Sequence, residues 1–369
     1  MINMAKKIQA NVQSNSTQID STIFVDHSHC NRFVTGLERI ALEQFSPEIL
    51  TDLPIHLVRA NSRLSMLWQQ NLRLPFLLAK HPKSLLLCPG FPPALLTHPF
   101  RDRVIPYIHD VFPLTRSKEL SLRARVYIGS LLRLALIKFP RLMVNSETTA
   151  GEIKPYCLQE NEIILYRPEV RNIFQIDPHE RDQRIFDRSE FRLLAIGTIE
   201  PRKNLLCAAR ILQILRERHF PHARLDIVGR IGWGEDHQLL ASCPGVYIHG
   251  YQNTSEVRRF LNQAHAFINT SHSEGLGLPL LEAQHAGLMI IARDIPIFHE
   301  VLAASGLLFD DQKLIESSDR IAAAFAINDW LSDHRSRALH NIERWNALAR
   351  HDRARLQSRL YSLLKERRQ

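Results

Sequence analysis

The fold is decided by residues 264–287, which read AHAFINTSHSEGLGLPLLEAQHAG. Residues 264–269 form a mainly apolar run that is typical of a buried strand. Gly275 and Gly277 then indicate a turn, Pro279 suits the start of a helix, and Gly287 is placed to end it. The segment therefore predicts a strand, a glycine turn and a short helix, as in a parallel α/β sheet.

Two glutamates lie in this segment, Glu274 in the turn and Glu282 near the helix start, with seven residues between them. The start of a helix offers free backbone N–H groups and a partial positive charge, which suit a phosphate. Carboxylates beside a phosphate would repel it unless they bind neutral hydroxyl groups. The pattern therefore favours a ligand that carries both phosphate and sugar hydroxyls.

The string from Glu274 to Ala283 resembles the Glu-(seven residues)-Glu signature of retaining glycosyltransferases of family 4 (group 1), which have the GT-B fold. The resemblance implies that Glu274 binds the donor sugar near its anomeric carbon. It implies that Glu282 binds the ribose hydroxyls of a nucleoside-diphosphate sugar. Backbone amides at the helix start, those of Gly277 and Leu278 among them, would bind the outer phosphate.

A second motif, residues 191–205, reads FRLLAIGTIEPRKNL. It resembles the first strand of the family's C-terminal domain, where an Arg and a Lys hold the donor diphosphate. Lys203 matches the family lysine, whereas Thr198 stands where the family often has an Arg, so Arg202 is assigned to that role. With two cations available, the predicted reaction needs no divalent metal.

The N-terminal half carries two weaker matches. Gly36 lies in a segment that resembles the family's Thr-Gly-Ile-x-Arg turn, where a glycine lets the backbone approach a phosphate or sugar. His109 and Asp110 follow an apolar run and resemble the family's His-Asp pair. The resemblance places His109 near the transferred sugar.

The histidines also allow another interpretation, a hydrolase metal site built from His27, His29, His109 and Asp110. No third cluster has ligand spacing, and the chain has no Asp-x-Asp triplet. We therefore predict no metal and no cofactor, with a nucleoside-diphosphate sugar as donor substrate. His27 and His29 are interpreted as acceptor-side or structural residues.

The predicted fold class is α/β, a GT-B arrangement of two doubly wound Rossmann-like domains that face each other across a cleft. The chain length of 369 residues allows two domains of ordinary size. The predicted parts are a disordered tail (1–20), an acceptor-side domain (21–174), a linker (175–190), a nucleotide-sugar-binding domain (191–329) and C-terminal helices that cross back to the first domain (330–369).

Composition indicates a cytoplasmic enzyme. The chain has no apolar run long enough to span a bilayer, and its first 20 residues lack the hydrophobic centre of a secretory signal. Its five cysteines are widely spaced, which is typical of reduced thiols.

The net charge of +9 raises the question of an anionic partner. Nucleic acid is not predicted, because no aromatic residues suited to base stacking alternate with the basic ones. The segment Arg116–Arg141 carries seven cations against Glu119 alone, interleaved with Leu and Ile. This stretch suits the inner face of a membrane, with a solvated helix face as the alternative.

The resemblance implies a retaining, metal-independent hexosyltransferase that moves a sugar such as mannose to a saccharide acceptor, which can be lipid-linked. The reaction would belong to the synthesis of a bacterial cell-surface polysaccharide, such as that of lipopolysaccharide. Two alternatives stay open: another GT-B enzyme, of epimerase or phosphorylase type, and a catalytically silent GT-B scaffold. The donor base, the acceptor linkage and the oligomeric state are not encoded in any recognisable motif.

Overall fold

A computed structural model describes residues 21–30, 36–116, 128–158, 160–179, 191–326 and 330–367. The predicted tail (1–20), most of the predicted linker (175–190) and residues 117–127 of the basic stretch lie outside this description. The chain divides into two compact units, Met1–Pro168 with Ala349–Gln369, and Glu169–Leu348.

The first unit is built on a sheet of six parallel strands in the order β2-β1-β3-β4-β5-β6. Buried apolar residues, such as Leu86, Val104 and Leu142, line the sheet and pack against the helices. The strands are β1 (Ile23–His27), β2 (Ile55–Arg59), β3 (Leu85–Cys88), β4 (Val104–Ile108), β5 (Arg141–Val144) and β6 (Glu162–Leu165).

The second unit is built on another six-stranded parallel sheet, in the order β12-β11-β10-β7-β8-β9. Two apolar clusters cover its two faces, one around Phe191 and Leu225 and one around Phe267 and Trp345. The strands are β7 (Arg192–Ile196), β8 (Arg224–Val228), β9 (Val246–Ile248), β10 (Ala266–Asn269), β11 (Met289–Arg293) and β12 (Leu307–Phe309).

Both sheets are doubly wound, so each has a point where the strand order reverses. In the first sheet this point lies between β1 and β3, and in the second it lies between β7 and β10. Ligands of such sheets bind outside the carboxyl ends of the strands at this point. The predicted α/β class with two Rossmann-like sheets is confirmed.

Helices connect the strands and cover the sheets. The longest helix begins in the second unit, where Ile342 and Trp345 join the core, and ends in the first, where Asp352 binds Arg167 at 2.8 Å. The α-helices span Gly36–Gln44, Arg63–Trp68, Leu74–Lys80, Phe112–Thr115, Ser130–Lys138, Glu147–Ile153, Leu205–Arg218, Asp236–Ala241, Thr254–Gln263, Leu278–His285, Pro296–Leu302, Leu314–Ala326 and Trp330–Glu366. None of those in the described residues is long and apolar enough to cross a bilayer.

The end of helix Leu278–His285 follows the sequence prediction closely. Gly287 has a φ of 68°, its N–H donates to the Gln284 carbonyl at 2.9 Å, and the Leu288 N–H donates to the Ala283 carbonyl at 3.0 Å. These two bonds are the Schellman motif, in which a left-handed glycine satisfies the last carbonyls of a helix. The helix start differs by one position, because Pro279 is its second residue.

Candidate functional site

The candidate site lies at the carboxyl ends of β7 and β10, where the order of the second sheet reverses. Gly197 follows β7 directly with a φ of 151°, and a Cβ there would lie 3.5 Å from Lys203 Cε. The Thr270 hydroxyl, just after β10, lies within hydrogen-bond distance of the carbonyls of Lys203 and Asn204. Hydrogen bonds therefore join the loop after β7 to the loop after β10, at the point where a doubly wound sheet binds its ligand.

Three predicted residues meet in this place. Lys203 Nζ donates to Glu274 Oε1 at 2.5 Å, and Arg202 Nη1 donates to Glu274 Oε2 at 3.1 Å. The Ser271 hydroxyl donates to Glu274 Oε1 at 2.7 Å. Glu274 thus accepts hydrogen bonds from two cations and a hydroxyl while its side chain is only 8% exposed.

These contacts fix the charge of Glu274. Burial by itself would raise the pKa of this carboxyl, but the charges of Lys203 and Arg202 and the hydrogen bonds from Lys203 and Ser271 lower it to about 2. On its other side Arg202 binds Glu200 at 3.1 Å. Two cations therefore face two carboxylates, and the cluster is electrically neutral before any ligand arrives.

The start of helix Leu278–His285 lies a few residues beyond this cluster along the chain. Gly277 has a φ of 80°, and a Cβ there would lie 3.0 Å from the Phe298 ring. Pro279 has no N–H, and the Leu280 N–H donates to the Gly277 carbonyl at 2.9 Å. Among residues 277–280 this leaves the amides of Gly277 and Leu278 as the predicted phosphate donors.

Glu282 occupies the second turn of the same helix and is 5% exposed. The motif therefore separates its two glutamates. Glu274 belongs to the cation cluster after β10, whereas Glu282 is buried in the helix that follows.

His109 belongs to the first unit, just after β4. Its Nε2 lies 2.7 Å from the Pro89 carbonyl, which can only accept, so Nε2 carries the proton. Burial lowers the pKa of His109, which keeps the ring neutral. The neutral ring then has Nδ1 as its acceptor nitrogen. Gly36, the other predicted site residue in this unit, begins helix Gly36–Gln44 and is exposed.

His27 and His29 lie at the point where the order of the first sheet reverses. Both are buried, and burial lowers the pKa of each to about 4. The His29 ring fills the space above Gly90, which follows β3, because a Cβ on Gly90 would come within 2.3 Å of the ring.

The described residues contain no group of three or more His, Cys, Asp or Glu side chains arranged to hold a metal ion. All five cysteines are free thiols. His27, His29 and His109 therefore stand as neutral rings, and the metal-site interpretation gains no support from their placement.

Some residues of the cluster were not predicted. Ser271 and Thr270 both follow β10 directly, and hydroxyl residues at that position are a signal that the sequence does carry. Glu200 gives no such signal, because its contact with Arg202 depends on how the loop after β7 folds. The roles of Glu274, Glu282, His109 and Gly36 toward a ligand stay predictions.

Comparison with known proteins supports the glycosyltransferase resemblance that the glutamate motif carries. The family model described as glycosyl transferases group 1 matches residues 177–345. The serotype-specific mannosyltransferase WbdA of Escherichia coli is 32% identical over 163 residues, which cover 42% of this chain and 19% of WbdA. The O-antigen chain mannosyltransferase B of Escherichia coli is 29% identical over 161 residues, which cover 42% of each chain. The matched part therefore spans less than half the length of these curated relatives.

A solved structure shows the same fold over a longer range. WaaG, described as a glycosyltransferase involved in lipopolysaccharide biosynthesis, superposes with a TM-score of 0.62 at 16% identity, covering 87% of this chain and 95% of WaaG. The two sheets and this likeness place the protein in the GT-B class of folds. Residues 177–345 match the model of the group 1 glycosyltransferases, the family that the glutamate motif resembles.

Proposed function

We propose that the protein is a retaining glycosyltransferase. It transfers a sugar, with mannose as the candidate suggested by the relatives, from a nucleoside-diphosphate sugar to a saccharide acceptor. The acceptor belongs to a cell-surface polysaccharide under synthesis and can be lipid-linked. The observation that carries the proposal is the contact of Lys203 and Arg202 with Glu274 at the reversal point of the second sheet.

The chemistry follows from the charges in this cluster. As the bond between the anomeric carbon and the outer phosphate breaks, negative charge grows on the departing phosphate oxygen. Lys203, Arg202 and the amides of Gly277 and Leu278 stabilise that charge. The acceptor hydroxyl oxygen forms the new bond on the same face of the sugar, and its proton passes to the departing phosphate.

Glu274 has two tasks in this scheme. In the free protein it neutralises Lys203 and Arg202, and with donor bound it accepts hydrogen bonds from hydroxyls of the donor sugar. Because its contacts with Lys203, Arg202 and Ser271 lower its pKa to about 2, Glu274 is ionised in the free protein. Glu282 binds the ribose hydroxyls, and His109 offers Nδ1 to a hydroxyl of the transferred sugar.

The test is to incubate the protein with a panel of nucleoside-diphosphate sugars, with and without candidate saccharide acceptors. We expect one donor to be consumed in an acceptor-dependent manner, and NMR of the product to show the anomeric configuration of the donor. An inverted product would contradict retention. Absence of consumption, with nucleotide binding intact, would support a silent scaffold instead.

Lys203→Ala is expected to weaken nucleoside diphosphate binding by about 10- to 100-fold, because a charge-assisted hydrogen bond contributes roughly 1.5–3 kcal/mol. Turnover should fall as well, since the same cation stabilises the leaving group. Isothermal titration with the preferred nucleoside diphosphate measures the first effect, and initial rates of transfer measure the second.

The matched control is Arg210→Ala, which removes an exposed cation from the helix that follows Lys203. It should leave binding and turnover unchanged. Melting curves of both variants show whether the fold is intact at the assay temperature. If Lys203→Ala bound and turned over donor like the parent, the diphosphate site would lie elsewhere.

Activity is expected to survive a strong chelator, because side-chain cations and helix-start amides take the charge-stabilising role that a metal has in other transferases. The measurement is the transfer rate before and after treatment with EDTA. A loss that one divalent ion restores would contradict the metal-independent scheme.

A further inference from the structure

An apolar stripe is exposed on the first unit, along the helical segment between β2 and β3. The segment runs through helix Arg63–Trp68, a π-helical turn at Gln69–Arg73 and helix Leu74–Lys80. Four large apolar side chains recur at every fourth position and are more than half exposed: Leu64 (80%), Trp68 (52%), Leu72 (54%) and Phe76 (63%).

The π-helical turn explains why these four residues share one side. An α-helix has about 3.6 residues per turn, so residues four apart drift around it. A π-helical turn is wider, because its hydrogen bonds join residues five apart. One such turn in the middle of the segment brings the average closer to four residues per turn, and the stripe runs along about 18 Å of helix.

The opposite side of the segment is anchored in the core. Leu74 and Leu78 are buried and pack with the apolar cluster around Leu86 and Val104. The segment therefore cannot turn its apolar stripe inward without leaving its place on the sheet. The stripe is a fixed outward surface of the first unit.

In the stretch of sequence that contains the stripe, the charged residues all have one sign. No Asp or Glu occurs from residue 53 to residue 101, although the average of 38 acidic residues in 369 would place about five there. The same 49 residues contain six cations, and those within the helical segment stand at both its ends and in its middle. The six are Arg59, Arg63, Arg73, Lys80, Lys83 and Arg101.

We propose that this stripe docks on an anionic lipid surface, with the helical segment lying parallel to it. Leu64, Leu72 and Phe76 would enter the boundary between headgroups and acyl chains, and Trp68 would lie at headgroup level, as amphipathic interfacial helices do. Arg63 and Lys80, at the two ends, would face anionic headgroups.

A second copy of this chain fits the stripe less well. A standard interface uses about 20–30 residues on each side, far more than this stripe supplies. Two antiparallel copies would also bring Arg63 of one against Lys80 of the other, and no acidic residue of the segment is there to separate them. Like charges at an interface oppose association.

This surface differs from the predicted one at Arg116–Arg141. In the described part of that stretch, helix Ser130–Lys138 buries Leu132 and Leu136 in the core. Only its polar side, with Arg133 and Lys138, is exposed. The exposed cations of helix Ser130–Lys138 can attract anionic headgroups, whereas the apolar side chains of the stripe can enter the lipid.

The test is flotation of the full chain with vesicles of mixed phosphatidylcholine and phosphatidylglycerol, compared with vesicles of phosphatidylcholine alone. We expect binding to the mixed vesicles. The variant Leu64→Ser/Leu72→Ser/Phe76→Ser should lower the partition coefficient by roughly tenfold or more, because the buried apolar surface is lost. Trp68→Phe should still bind while removing the blue shift of tryptophan emission that vesicles produce.

The matched control also removes three exposed apolar side chains, by Leu158→Ser, Leu239→Ser and Ile315→Ser. It should bind vesicles like the parent. The proposal is overturned if the parent ignores mixed vesicles at low salt, or if the stripe variant binds them like the control. It is overturned as well if the stripe variant changes only the oligomeric state, which would assign the stripe to a second copy. None of these readouts depends on sugar transfer.

Discussion

Glu274→Gln is expected to lower sugar transfer by roughly 100-fold or more while it tightens the binding of free nucleoside diphosphate by about tenfold. The two effects have opposite signs because Glu274 acts in two states of the protein. Before donor binds, its carboxylate neutralises Lys203 and Arg202 at 2.5 and 3.1 Å. A diphosphate must compete with this carboxylate for both cations.

The gain in binding follows from that competition. The amide of the Glu274→Gln variant would keep the shape of the side chain but carry no charge. Lys203 would then lose its ion pair with Glu274, and Arg202 would keep its ion pair with Glu200. A charge-assisted hydrogen bond contributes roughly 1.5–3 kcal/mol, which sets the upper range of the gain. The loss of transfer follows because a neutral amide stabilises less positive charge at the anomeric carbon than a carboxylate.

Glu282→Gln provides the matched comparison within the same motif. Its side chain is buried in helix Leu278–His285, and because Glu282 is the predicted ribose-binding residue, the substitution should weaken nucleoside diphosphate binding. Calorimetric titration of both variants against the parent, with transfer rates measured beside it, separates the two glutamates. Weaker binding by Glu274→Gln would show that Glu274 assists the diphosphate directly, and equal binding would show that it does not compete.

The sequence predicted those features of the second unit that depend on local geometry. Gly277 and Gly287 both have positive φ, and each stands where a turn or a helix end needs it. The reversal point between β7 and β10 then brings their loops together, so the cations after one strand and the glutamate after the other could be expected to meet.

The parts that the sequence did not predict depend on contacts distant along the chain. The sequence does not show that Glu274 binds Lys203 and Arg202 directly. The three side chains could also lie apart and each contact only the ligand. Helix Thr254–Gln263 is capped by Asn253, whose side chain accepts from the Glu256 N–H at 2.9 Å, although Ser255 stands two residues further on. Both residues are good caps, and the backbone decides between them.

The apolar stripe is not predictable from the sequence for a related reason. Residues 63–80 contain apolar positions on both sides of the helix, some buried and some exposed, so the amphipathic period is blurred. The two sides can be told apart only when Leu74 and Leu78 are seen in the core. The sequence alone does show that residues 53–101 contain no Asp or Glu, which indicates a surface without negative side chains from this stretch.

The first unit is expected to lose stability as the pH falls from 6.5 toward 4. In the folded protein burial lowers the pKa of His27 and of His29 to about 4, whereas in the unfolded chain each would be near 6.5. Between these values the unfolded state binds more protons, so acid favours unfolding. At pH 4 each histidine lowers the free energy of unfolding by up to about 3 kcal/mol.

Asp26 has the opposite effect on the free energy of unfolding as the pH falls. Burial raises the pKa of its carboxyl, so the folded state binds a proton more readily than the unfolded state as the pH falls. This opposes the loss from the histidines near the lower end of the range. Glu274, with its pKa lowered to about 2, contributes a loss only below pH 4.5.

Urea unfolding curves recorded across pH 4–7 measure the effect, with His27→Asn/His29→Gln compared with the parent. The double variant should flatten the pH dependence by several kcal/mol over this range, because its side chains do not titrate. His222→Gln, which removes an exposed histidine of the second unit, is the control for the substitution itself. An unchanged slope in the double variant would mean that both rings gain protons in the folded state as easily as in the unfolded one. Their buried place beside the reversal point of the first sheet would then have to be open to water.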